Sequence, residues 1–191
     1  MLYLVRHGRT TANERGLLQG RLDPPLDEVG RAQAEAIARM IGRVDDVIAS
    51  PLARAQETAE YFGKPVTLDD RWLELAYGEL EGMPASEVSG EVWRQWRDDP
   101  LFATEGGESF GALDARVRDA CNDLVARMGD RNVVVVSHVS PIKAAVAWAL
   151  NAPIGIMFHC HLSQASLCQI GIGKFGPLLH SFNERAPSPV D

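Results

Sequence analysis

The fold is decided by residues 132–141, which read NVVVVSHVSP. Four consecutive valines are typical of a strand that is buried on both faces, because β-branched side chains favour the extended backbone. A helix over residues 141–150 is predicted to follow at once. Ser137 and His138 therefore lie where a buried strand ends and a helix begins, which is where ligands bind in parallel sheets.

The segments around this strand alternate between strand patterns and helix patterns. Four of them are predicted to be strands or a final hairpin: residues 2–5, 46–50, 66–68 and 164–182. Four others are predicted to be helices: residues 27–42, 52–62, 85–96 and 109–128. Alternation of this kind predicts an α/β fold, a three-layer α/β/α sandwich with a mostly parallel sheet covered by helices on both faces.

The length of 191 residues fits a single domain. We expect this domain to span residues 1–185, with a lid-like helical insertion over residues 83–105 and a C-terminal tail, residues 186–191, that frays. The loop over residues 7–25 is long and rich in glycine, asparagine, threonine and arginine. Loops of this length are more often functional than structural, so we expect a ligand beside it.

The composition excludes several classes of protein. Lysine and arginine total 19 against 26 aspartate and glutamate, a net charge of −7 that argues against binding nucleic acid or an acidic membrane through the overall field. Three cysteines without metal-finger spacing argue against a secreted disulfide framework. The apolar run at the N-terminus is too short for a signal peptide or a membrane span. We therefore expect a cytoplasmic protein that captures any anionic ligand with a local cluster.

Three predicted strand ends carry side chains suited to such a cluster. They read RHG at residues 6–8, SPLAR at residues 50–54 and SHVSP at residues 137–141. Ser50 and Ser140 are predicted to cap helices that begin at Pro51 and Pro141. A helix N-terminus offers unpaired N–H groups and a partial positive charge. Two such ends beside arginines and histidines predict a site for phosphate.

Together, the motifs at residues 6–8, 50–59 and 133–138 resemble those of the histidine phosphatase superfamily, also called phosphoglycerate-mutase-like. The resemblance covers nearly the whole chain. The strand end with His138 and Pro141 is similar to that of the superfamily's phosphatases that act on phosphoserine or α-ribazole phosphate. The resemblance implies that His7 is a nucleophile that becomes a phosphohistidine and that His138 stabilises the transition state. It also implies a phosphate pocket that needs no cofactor or metal, formed by Arg6, Thr10, Asn13, Gln19, Gly20, Arg54 and Val139.

The proton donor that the resemblance implies is Glu74, ahead of Glu79 and Glu81, because the superfamily places a carboxylate four residues before a glycine. A structural ion pair is the alternative role for Glu74. Two positions depart from the common pattern: Arg9 stands where glutamate is usual, and Val139 where many members have glycine. We interpret Arg9 as a surface variant, with a wider anionic subsite as the alternative. Val139 is expected to leave less room beside the phosphate.

Three functions stay open. The favoured one is a phosphatase that acts on a small phosphorylated metabolite. The second is a phosphoglycerate-mutase-type transfer, disfavoured because the segment after Gly82 is short and acidic. The third is a non-catalytic phospholigand-binding module, and in each case a homodimer is left open. His159 and His161 suggest two metal ligands on one face of a strand, although a structural or pocket-rim role is preferred.

Overall fold

The computed structural model describes residues 1–187, which contain one six-stranded sheet. The strands are β1 (Leu2–Arg6), β2 (Asp46–Ala49), β3 (Val66–Leu68), β4 (Val133–Ser137), β5 (Ser166–Gly173) and β6 (Gly176–Arg185). The helices are α1 (Thr11–Glu14), α2 (Glu28–Ile41), α3 (Ala53–Glu60), α4 (Gly90–Asp98), α5 (Phe110–Met128) and α6 (Val139–Ala149). The strand order is β3-β2-β4-β1-β5-β6. The first four strands pair in parallel and β5 pairs antiparallel with both neighbours, which confirms a mostly parallel sheet.

The valine strand β4 lies at the centre of the fold, and its alternating side chains enter two hydrophobic cores. Val133 and Val135 belong to the core that α5 and α6 cover, whereas Val134 and Val136 belong to the core that α2 and α3 cover. Each of the four valines is at most 2% exposed. Helices therefore cover both faces of the sheet, and the predicted three-layer sandwich is confirmed.

The predicted starts of two helices are wrong. Helix α6 begins at Val139 with His138 as its N-cap, so Ser140 and Pro141 lie inside its first turn. Proline is tolerated there because the first N–H groups of a helix have no partner within the helix. Helix α3 begins later than predicted, at Ala53, and neither Ser50 nor Pro51 belongs to it.

The predicted helix over residues 85–96 is also displaced. Helix α4 starts only at Gly90, because the hydroxyl of Ser89 accepts the N–H of Val92 and so caps the helix there. Its Trp96 is buried in the core that α5 and α6 cover, which anchors this segment to the domain. The predicted C-terminal hairpin is confirmed as β5 and β6. Of the tail predicted to fray, residues 188–191 lie outside the described residues.

The helices and the cysteines bear on the predictions about membrane spans and disulfide bonds. No helix within residues 1–187 is long and apolar enough to cross a membrane. The three cysteines are free thiols, and of these Cys121 and Cys168 are buried while Cys160 is half-buried.

Candidate active site

His7 follows directly on the central strand β1. Its N–H donates to the carbonyl oxygen of Ser137 at 3.0 Å, which aligns it with the end of β4. The ring is 3% exposed, and its Nδ1 lies 2.7 Å from the carbonyl oxygen of Gly8. A carbonyl oxygen can only accept, so Nδ1 carries the hydrogen and Nε2 carries the lone pair. Nε2 is thus the atom of His7 that can act as a nucleophile.

Both histidines of the site are held neutral. Burial, then the positive charges of Arg54 and Arg6, lower the pKa of His7 well below 6.5. Burial also lowers the pKa of His138 well below its ordinary value, and Arg54 acts in the same direction. The two ring centroids lie 5.1 Å apart. A protonated imidazole is no nucleophile, whereas the neutral imidazole of His7 keeps the lone pair that a nucleophile needs.

Arg6 and Arg54 supply the positive charge of the site. Nη1 of Arg6 donates to the carbonyl oxygen of Leu162 at 2.6 Å. Arg54 is 1% exposed, and its Nη atoms donate to the carbonyl oxygens of Leu22 at 2.6 Å and Gly20 at 2.9 Å. Burial lowers the pKa of Arg6 to about 10 and also lowers that of Arg54. Both stay cationic at neutral pH, and their hydrogen bonds go to neutral carbonyl groups rather than to carboxylates.

Three buried nitrogen atoms of this cluster have no hydrogen-bond partner within residues 1–187. They are Nε of Arg6, Nε of Arg54 and Nδ1 of His138. The other ring nitrogen of His138, Nε2, lies 2.8 Å from the hydroxyl oxygen of Ser50. With that hydroxyl as the donor, Nδ1 of His138 carries a hydrogen. Buried polar atoms are rarely left unpaired, and three such nitrogens, two of them guanidinium donors, fit a ligand that carries several oxygens.

Glu74 occupies the N-terminus of α6. Its carboxylate accepts the N–H groups of Val139 at 3.1 Å and Ser140 at 3.2 Å, and that of Leu75 at 2.8 Å. The predicted anion site at this helix end therefore exists, but it holds the protein's own carboxylate. Of the alternative donors, Glu79 is exposed, whereas an oxygen of Glu81 accepts backbone N–H groups. Glu74 is the buried carboxylate nearest the end of β4.

The N-terminus of α3 is occupied in the same way. The N–H of Ala53, its first residue, donates to Oδ1 of Asp23 at 2.6 Å. Asp23 also lies 4.0 Å from Nη1 of Arg54. Aspartate and glutamate are stabilised at such positions by the helix dipole. The two helix ends that were predicted to face a phosphate are thus both filled by carboxylates.

The other residues predicted to line the pocket are brought to one loop beside His7. Thr10 is fully buried, and its hydroxyl lies 2.9 Å from Oε1 of Gln19. Thr10 and Asn13 form a capping box around α1, which gives both a structural role. Gly20 contributes its carbonyl oxygen to Arg54 and has a positive φ of 52°. A Cβ there would also lie 2.1 Å from Oε1 of Glu81.

Sequence reasoning missed two supporting residues. The hydroxyl of Thr58 accepts the N–H of Gly8 at 3.1 Å and donates to the carbonyl oxygen of Arg54 at 2.8 Å. It therefore joins the loop after His7 to helix α3, and its position one turn after Arg54 is a signal that could have found it. Gly30 in α2 packs so closely that a Cβ on it would lie 2.0 Å from the carbonyl oxygen of Arg9.

The comparison with known proteins agrees with this geometry. Residues 2–185 match the family model of the histidine phosphatase superfamily, branch 1. The chain belongs to this superfamily. A bifunctional protein of Mycobacterium tuberculosis is 37% identical over 176 residues, 87% of this chain and 48% of that protein. The chain thus spans about half the length of this relative and of two further mycobacterial ones.

Superfamily members of similar length are also related. Phosphoserine phosphatase 1 of Hydrogenobacter thermophilus is 37% identical over 175 residues, which cover 86% of this chain and 83% of that protein. A mutant phosphoserine phosphatase from Entamoeba histolytica, solved with phosphoserine, superposes with a TM-score of 0.88, 28% identity and 95% coverage of both chains. Mycobacterial glucosyl-3-phosphoglycerate phosphatase with VO3 gives a TM-score of 0.86, 32% identity and coverage of 95% and 98%.

The structure also shows where Arg9 and the two histidines considered as metal ligands lie. Arg9 donates from Nε to Asp27 at 2.8 Å and lies 3.5 Å from Glu14, so its charge is paired with two carboxylates. His159 and His161 are exposed and lie at the end of a 3-10 turn and in the loop after it, not on a strand. Their predicted common strand face is therefore wrong. Among residues 1–187 no three His, Cys, Asp or Glu side chains are grouped to hold a metal ion.

Proposed function

We propose that the chain is a metal-independent phosphomonoesterase that hydrolyses a small phosphorylated metabolite through a phosphohistidine on His7. One observation carries the proposal. A buried, neutral imidazole with its lone pair on Nε2 lies in a cluster with three buried nitrogens, on Arg6, Arg54 and His138, that lack partners within residues 1–187. A tetrahedral phosphate dianion would supply oxygens to those nitrogens and phosphorus to the nucleophile.

The first step forms the phosphoenzyme. The Nε2 lone pair of His7 attacks phosphorus, and the ester P–O bond breaks with its electron pair on the leaving oxygen. Glu74, in its protonated form, gives its proton to that oxygen, so the product leaves as an alcohol. Arg6, Arg54 and His138 stabilise the charge on the other phosphate oxygens, which is the largest contribution a protein makes to this chemistry.

The second step hydrolyses the phosphohistidine and regenerates the free enzyme. A water molecule attacks phosphorus, its proton goes to the carboxylate of Glu74, and the P–N bond breaks with its electron pair on Nε2 of His7. Inorganic phosphate leaves, and Glu74 is again protonated. Each proton and each bond is assigned to a side chain, water or substrate, so we expect turnover to survive a chelator.

The substrate class is a small phosphomonoester, since named relatives are phosphatases of phosphoserine and of glucosyl-3-phosphoglycerate. The net charge of −7 supports a diffusible metabolite over a polyanion, which the acidic surface would repel. We also propose that the segment over residues 83–105 acts as a lid on the leaving-group side. Such a segment would select among substrates by closing over them.

A screen of the purified chain against small phosphomonoesters, phosphoserine included, tests the proposal. We expect release of inorganic phosphate at an unchanged rate with and without EDTA. Loss of activity in EDTA would contradict the metal-free proposal. Interconversion of phosphoglycerates without phosphate release would replace it with a mutase, and affinity without turnover would replace it with a binding module.

A further inference from the structure

The peptide group between Glu74 and Leu75 is held on both sides. Its carbonyl oxygen accepts a hydrogen bond from Nε of Arg21 at 2.8 Å and a longer one from Nη2 of Arg116 at 3.4 Å. Its N–H donates at 2.8 Å to Oε1 of the Glu74 carboxylate itself. Two guanidinium groups and the carboxyl group of the proposed proton donor thus bind opposite ends of one rigid amide.

The two arginines are joined by one carboxylate. Nε and Nη2 of Arg116 donate to the two oxygens of Glu108 at 2.7 and 2.8 Å, a bidentate pair in which both side chains are mostly buried. Nη2 of Arg21 lies 3.4 Å from the same carboxylate. Burial opposes ionisation, but hydrogen bonds and charge from Arg116 hold the pKa of Glu108 below its usual value. We call Arg21, Glu108 and Arg116 the carbonyl clamp.

The geometry points to a role for the carbonyl clamp in positioning the proton donor, an inference that rests on the proposed function. Charge-assisted hydrogen bonds fix the plane of the peptide group and so aim its N–H at Glu74. The carbonyl clamp touches neither the nucleophile nor the phosphate-binding nitrogens, so its members are positioning residues.

Arg21 also ties the donor to the phosphate pocket. Its neighbours Gly20 and Leu22 present their carbonyl oxygens to Arg54, while the Arg21 side chain turns to Glu74. Three consecutive residues therefore link the arginine that binds phosphate to the acid that protonates the leaving group.

Arg21 is the best residue for a test, because its side chain is 37% exposed whereas Arg116 also supports the carbonyl oxygen of Arg71. The measurement is kcat and KM on two substrates, p-nitrophenyl phosphate and an alkyl phosphate such as phosphoserine. p-Nitrophenolate leaves without much help from an acid, whereas an alkoxide needs its proton. A residue that positions the acid must therefore affect the two substrates unequally.

We expect Arg21→Met to lower kcat on the alkyl phosphate about tenfold, with a much smaller loss on p-nitrophenyl phosphate and a small change in KM. Arg21→Lys, which keeps a donor, should restore part of the loss. In a Glu74→Gln background, Arg21→Met should cost nothing further on the alkyl phosphate, because its effect passes through Glu74. Arg15→Met is the matched control: Arg15 is exposed on the same loop and makes no side-chain hydrogen bond within residues 1–187.

Equal losses on both substrates, or no loss on either, would overturn the inference. The same holds for a full additional loss in the Glu74→Gln background. Melting curves of Arg21→Met and Arg21→Lys establish that both variants are folded, and the comparison of substrates within one folded variant does not depend on their relative stability. A wild-type chain that releases no phosphate from p-nitrophenyl phosphate would instead contradict the proposed function.

Discussion

Nδ1 of His7 lies 2.7 Å from the carbonyl oxygen of Gly8. This contact fixes the tautomer of the proposed nucleophile, because only a protonated Nδ1 can donate to a carbonyl oxygen. The N–H of Gly8 is bound in turn by Thr58, so the peptide that orients His7 is itself anchored to α3. The contact with the neighbouring residue Gly8 thus leaves the lone pair of His7 on Nε2.

His7→Ala removes the proposed nucleophile. We expect kcat on any accepted phosphomonoester to fall about a thousandfold or more. The variant should still show a cooperative melting transition, so that unfolding does not explain the loss. His180→Ala, at an exposed position in the C-terminal hairpin, serves as the control and should keep full activity. Appreciable turnover by His7→Ala would remove His7 from the mechanism.

Arg54→Lys should weaken phosphate binding. Lysine carries the charge, but its donors all lie on one nitrogen, whereas Arg54 binds the carbonyl oxygens of Leu22 and Gly20 with its Nη atoms and keeps Nε for phosphate. We expect the inhibition constant for inorganic phosphate to rise roughly tenfold or more. The same exchange at exposed Arg39 should leave that constant unchanged. An unaltered constant in Arg54→Lys would exclude Arg54 from the phosphate pocket.

The buried histidines make stability depend on pH. Burial, then the charge of Arg54, depresses the folded-state pKa of His138 well below the 6.5 of an exposed histidine. The unfolded chain therefore binds a proton that the folded one does not, so the associated stability is fully present above pH 6.5 and is lost as pH falls toward the folded-state value.

His138→Gln should reduce the slope of the unfolding free energy against pH by about 1.4 kcal/mol per pH unit in the window below 6.5. Chemical denaturation at a series of pH values measures this slope. His180→Gln, which replaces an exposed histidine, should retain the wild-type slope. Equal slopes in wild type and His138→Gln would show that His138 titrates normally.

Gly30→Ala should be destabilising, although alanine usually stabilises a helix interior. A Cβ at this position would lie 2.0 Å from the carbonyl oxygen of Arg9, against backbone that leads on from His7. We expect a loss of roughly 1–3 kcal/mol in unfolding free energy together with reduced kcat. Gly90→Ala has open space around its Cβ and is the control. Unchanged stability and activity in Gly30→Ala would contradict this tight contact.

Local patterns predicted the layers of the fold and four members of the site. The valine run can be buried on both faces only at the centre of a sheet. Arg6 is the last residue of β1, and His7, Arg54 and His138 follow within a few residues of strand ends. Parallel strands bring such ends to one edge, so neighbours in space could be inferred without knowing any contact.

Contacts between distant segments could not be predicted in this way. Helix α6 starts at Val139 because its first N–H groups bind Glu74, which is 65 positions earlier in the chain. The carbonyl clamp likewise joins Arg21 to Glu108 across 87 positions. Serine followed by proline is a sound local signal for a helix start, but here α6 starts two residues before Pro141, where its first N–H groups bind Glu74.

The most direct test of the account is the covalent state of Glu74→Gln during turnover of p-nitrophenyl phosphate. The good leaving group lets the first step proceed, whereas the second step lacks the base that activates water, so the phosphoenzyme should accumulate. Mass spectrometry after a basic quench should find one phosphoryl group, stable to base and labile to acid, on His7. Phosphate on another residue, or steady turnover by this variant with no phosphoenzyme, would contradict the account.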